Sequence, residues 1–185
     1  MFQKKHLFFL IIWSTFTYGQ TYIQANTIST IVLIPNIGIE TPISNKLTFQ
    51  VDVVASFWKS INDAPYQFAT LTPEIRYHFK ENTNGFYVGA HIGGGIFKIQ
   101  KWGGYAELNE YQKGFSYFVG ATIGYQKKIT EKIALDIFLG GGNHQAYYKG
   151  YIMGTDERYE NAKDYNKSGE FLPYRGGIMF CYKLN

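Results

Sequence analysis

Cysteine occurs once in these 185 residues, at Cys181, and proline five times. One cysteine excludes an internal disulfide. Charged residues make up only 17% of the chain, and the formal net charge is +4 with no basic run. That balance gives no electrostatic footprint for nucleic acid. Past residue 20 no apolar stretch is long enough for a transmembrane helix. No His/Cys/Asp spacing matches a metal cluster. The Gly-Gly-Gly runs at 93–95 and 140–142 are not phosphate loops, because no helix pattern and no Lys-Ser or Lys-Thr follows them. No cofactor is expected.

What is present begins with an export signal. Residues 1–19 carry Lys4 and Lys5, an apolar run from Leu7 to Trp13, and small or polar residues up to Gly19. This is the three-part form of a secretory signal peptide, with cleavage expected before Gln20 and a mature domain of residues 20–185. Aromatic residues are abundant at 18%, with 16 Tyr, 15 Phe and 20 Gly. The mean hydropathy is slightly polar, −0.20. Aromatic, glycine-rich and weakly alternating sequence without a helical span is the signature of a transmembrane β-barrel.

The alternation is explicit. In residues 71–79, Leu71, Pro73, Ile75, Tyr77 and Phe79 interleave with Thr72, Glu74, Arg76 and His78. The same period of two runs through 47–57, 115–125, 133–140 and 177–184. The segment 85–99 reads as a strand interrupted by glycines. Connections alternate between short turns (42–45, 80–85, 127–131) and longer polar stretches (58–66, 100–112, 149–170), as in outer-membrane barrels. Seven strands are clear. Even parity requires an eighth, and 22–32 is the only candidate. The expected fold is all-β, an eight-stranded antiparallel up-and-down transmembrane barrel.

The segments 35–53, 71–79, 85–95 and 128–142 also resemble a family of small exported Gram-negative proteins of unknown function, described as outer-membrane β-barrels. The residues that carry the resemblance are Pro35-Asn36 leading to Gly38 and Glu40, Pro73-Glu74 leading to Arg76-Tyr77, the glycine-rich strand around His91, and the apolar final strand. Asn26-Thr27 fits the family's first short strand, whereas 149–170 matches nothing in it. The resemblance implies a barrel in the outer membrane and implies no activity.

In such a barrel the apolar face points to lipid and the polar face inward. Glu40, Asp52, Glu74, Arg76, Asp136 and Arg175 are therefore expected inside, paired into one ionic network because unpaired charge there is costly. Eight strands leave room for filling side chains but not for an aqueous pore. His78, His91 and His144 sit in no local Ser-His-acid pattern, and the acids Asp156, Glu157, Glu160 and Asp164 read as a solvated loop.

The function expected is structural or interactive, through external loops, without catalysis. The contact surface would comprise Trp102, Tyr105, Tyr151, Tyr159 and Tyr165, since tyrosine joins an apolar ring to a polar tip. The expected partners are outer-membrane lipid and a protein or surface glycan. Two alternatives stay open. One is an enzyme that modifies lipid A by acyl hydrolysis or transfer. The other is a soluble periplasmic lipocalin-like ligand binder, which would turn its apolar face inward.

Overall fold

A computed structural model describes residues 20–59, 65–100, 109–155, 157–159 and 165–184. The signal-peptide reading of residues 1–19 lies outside them. The described chain is all-β apart from one short helix. Its elements are β1 (Tyr22–Asn26), α1 (Thr27–Ile31), β2 (Asn36–Pro42), β3 (Leu47–Lys59), β4 (Pro65–His78), β5 (Gly85–Ile99), β6 (Glu110–Lys128), β7 (Ile133–Ile152) and β8 (Asn166–Lys183). Each strand pairs antiparallel with the next, and β8 returns to β1, closing the barrel.

The side-chain period of two decides which face is inside. Thr48, Gln50, Asp52 and Ser56 of β3 are buried, as are Thr72, Glu74, Arg76 and His78 of β4. Their apolar neighbours point outward: Ile75 is 53% exposed, Ile92 62% and Ile123 63%. Polar residues thus line the lumen and apolar residues cover the wall, the reverse of a lipocalin-like barrel with an apolar interior. A small cluster of Tyr22, Tyr87, Ala134, Phe138, Met179 and Cys181 packs the lumen toward the end with the short turns.

The strands differ greatly in length. β1 has 5 residues and β2 has 7, against 19 in β6, 20 in β7 and 18 in β8. The expected first strand at 22–32 is therefore only half correct, because its second part is helical. Asn26 ends β1 and caps α1, its side chain accepting from the Ile28 and Ser29 amides at 3.1 and 3.4 Å. The Asn26 side-chain amide also donates to the Gly176 carbonyl (3.2 Å), and Thr27 Oγ1 donates to the Ile178 carbonyl (2.9 Å). These two bonds satisfy β8 carbonyls that β1 is too short to reach.

The long connections are also shorter than expected. β3 runs to Lys59 and β4 starts at Pro65; β6 starts at Glu110. Both ends of the stretch 149–170 belong to the wall, since β7 continues to Ile152 and β8 begins at Asn166. At the upper part of β8 the register shifts. Arg175 lies opposite Gly140 and Pro173 opposite Gly141, so Tyr174 is the inserted residue of a bulge. Proline suits that place because a bulge demands no ladder amide. The extra residue lets Tyr174 and Arg175, neighbours in sequence, both reach inward contacts.

Candidate functional site

The lumen has two storeys. The lower one begins with Arg76, which β4 points into the barrel with no exposure. Its Nη1 lies 2.9 Å from Asp136 Oδ2 and 3.5 Å from Glu40 Oε2, and its Nη2 lies 3.3 Å from Glu74 Oε2. Arg175 reaches the same Glu74 oxygen at 3.0 Å and Asp52 Oδ1 at 2.7 Å. Glu74 therefore bridges the two guanidiniums. All six charged residues expected in the lumen meet in one layer, contributed by β2, β3, β4, β7 and β8.

Four carboxylates face two guanidiniums, and neutral donors supply the remaining bonds. The Tyr87 hydroxyl donates to Asp136 (2.9 Å), while its ring lies 4.6 Å beneath the Arg76 guanidinium. Glu40 accepts from Thr48 Oγ1 at 2.6 Å, from Gln126 Nε2 at 3.1 Å, and from Gln24. His78 Nε2 stands 3.1 Å from Thr48 Oγ1. Sequence reasoning had not assigned Tyr87, Gln24, Thr48 or Gln126 to the network. Their signal was parity alone, since each lies on the inward face of its strand.

Glycine makes the layer fit. A Cβ on Gly89 would come within 2.0 Å of Glu74 Oε1, and one on Gly124 within 2.4 Å of the Tyr87 ring. A Cβ on Gly140 would meet the Arg175 side chain at 2.8 Å. The glycine-rich stretches thus have a packing role, opening space on one strand for a large inward side chain from another.

Above the charged floor lies a cavity of about 510 Å³. Asp52 and Arg175 are at its base, and Phe68, Phe118, Leu172 and Tyr148 are among its walls. This corrects the expectation of a lumen filled throughout. Ser116, Ala146 and Ser168 line this upper storey and are too small to fill it. His91 links the storeys: Nδ1 lies 3.0 Å from Thr122 Oγ1, and Nε2 lies 2.7 Å from the Tyr174 hydroxyl. Phe118 stacks on His144 at 6.0 Å and packs on Tyr174 at 4.9 Å. His144 stands directly opposite Glu170 across β7 and β8. Among the described residues no group of His, Cys, Asp or Glu is arranged to hold a metal ion.

The expected tyrosine surface is dispersed. Trp102 and Tyr105 lie outside the described residues. Tyr151 belongs to β7 and stacks on Tyr111 at 5.4 Å, so it is part of the wall and not of a loop. Tyr165 directly precedes β8 and meets Phe115 edge-on at 5.7 Å. Tyr159 lies further into the same connection, where it closes over Gly150.

Residues 5–184 match the family described as Protein of unknown function (DUF3575). The chain belongs to this family. No curated protein and no solved structure matches it. The DUF3575 match covers nearly the full chain and carries no activity with it.

Proposed function

We propose that the chain is an integral outer-membrane β-barrel, exported by the signal peptide at residues 1–19, that conducts nothing and acts by binding at its external end. One observation supports the membrane reading above the rest. The outward faces of three strands carry unbroken apolar bands of equal length: Leu47 to Phe57 on β3, Phe86 to Ile96 on β5, and Phe115 to Tyr125 on β6. On the same faces, Lys59, Lys98 and Lys113 follow immediately. Eleven residues at a strand rise of ~3.4 Å and a tilt near 45° give a band about 26 Å tall, matching the apolar belt of outer-membrane barrels. Tyr117 and Tyr125 stand toward its two edges, as an aromatic girdle does.

The short turns, the start of β1 and the end of β8 would then face the periplasm, and the cavity would open toward the exterior. The charged floor leaves no continuous passage, which favours binding over transport. Extraction and gel behaviour test the reading. The protein should require detergent for release from membranes and should migrate differently before and after boiling. Release into a detergent-free periplasmic fraction would overturn it.

A second reading, a lipid A-modifying enzyme, draws on His144 and Glu170 standing side by side in the cavity wall. It predicts a missing or additional acyl chain when lipid A is compared between cells with and without the gene. Identical lipid A from both would dismiss it.

A further inference from the structure

The outward faces of β5, β6 and β7 place three lysines in direct cross-strand register: Lys98 opposite Lys113, and Lys113 opposite Lys149. Like charges directly opposite each other destabilise a sheet, so two successive pairs of this kind need a counter-charge. The described strands supply none there. No acidic residue stands on the outward face of any of the eight strands, and among the described residues no carboxylate pairs with these lysines. Lys167, opposite Tyr147, adds a fourth amine one step below Lys149.

The surroundings define what the counter-charge is attached to. Directly beneath the row lie Phe115 and Tyr147, stacked at 5.3 Å, with Tyr117 beside them. Below these come Val119 and Ile123, 54% and 63% exposed. Above, Lys98 Nζ sits 4.3 Å from the Tyr111 ring and Lys149 Nζ 4.7 Å from the Tyr165 ring, which holds both amines at the wall. The patch is basic at the top, aromatic in the middle and aliphatic below. A soluble anion would satisfy only its top.

We infer that this face of β5–β7 binds the headgroup of a phosphorylated membrane lipid, with the phosphates on the lysine row and the acyl chains against the wall beneath. The row spans two strand spacings, roughly 10 Å. That is too wide for one phosphate group and suits a headgroup bearing two. The inference rests on the membrane reading above and adds the lipid class to it.

The test uses the mature chain in detergent micelles, titrated with lipid A carrying two phosphates, one, or none, with retained lipid counted by native mass spectrometry. The two-phosphate form should bind at least about tenfold more tightly than the phosphate-free form. The K98Q/K113Q/K149Q variant should lose that difference, and K127Q, at the opposite edge of the band, should keep it. Should the triple variant fail to fold, K113Q alone, at the centre of the row, should still show a graded loss. Equal retention of the three lipids by a barrel that shifts on heating would overturn the site and leave the membrane reading standing. Displacement of the lipid by millimolar inorganic phosphate would equally overturn it. A chain that stays soluble without detergent and shows no heat shift would overturn both.

Discussion

Arg76 is the residue on which the lumen depends most. It is fully buried, and three carboxylates surround it. Removing one partner of such a group leaves uncompensated buried charge. Arg76→Ala should cost roughly 3–5 kcal/mol in urea unfolding of the micelle-bound barrel. Arg175→Ala should cost less, because its side chain keeps 10% exposure at the cavity floor and water can reach the carboxylates it abandons. Equal losses would mean that the two arginines are not stacked as floor and core. Gly89→Ala tests the same layer from the opposite strand. Its methyl group would displace the Glu74 carboxylate from both guanidiniums, at a cost of about 1–3 kcal/mol. An unchanged unfolding midpoint would show that Glu74 has room to move. The six charged positions were legible from parity because a charge on an alternating strand can face only one way. Tyr87 was not, since an inward tyrosine looks like any aromatic until its hydroxyl finds Asp136.

Among the elements, α1 and the β8 bulge departed most from a plain reading of the sequence. Residues 27–31 keep the β-branched character of a strand, yet Asn26 caps them into a helix, and β1 stops there. Asn26→Ala should cost about 1 kcal/mol for the lost cap. It should cost somewhat more in total, because the Gly176 carbonyl loses its donor as well. Hydrogen exchange would locate the effect: amides of α1 and of the adjoining end of β1 should exchange faster, and those of β6 should not. Uniform acceleration would mean that the cap supports the whole barrel. The bulge was invisible because Pro173, Tyr174 and Arg175 break alternation without revealing by how much. The ends of the long strands were missed for a different reason. Beyond the apolar band both faces of β7 and β8 meet water or cavity, so "KGYI" and "NKSGE" lose the contrast that marks a strand.

At the scale of the molecule, a closed ring with a salt-bridged floor and an open upper cavity should carry no steady current. Reconstituted in planar bilayers, the protein should give no resolved conductance steps, and discrete openings would mean that the floor rearranges. A membrane-embedded barrel holds its apolar exterior against hydrocarbon. Spin labels at Ile92, Val119 and Ile123, introduced as single cysteines in a Cys181→Ser background and reconstituted into vesicles, test this most directly. Contact with hydrocarbon requires high accessibility to oxygen and low accessibility to a water-soluble nickel chelate at all three positions. High nickel accessibility at these outward positions would contradict it.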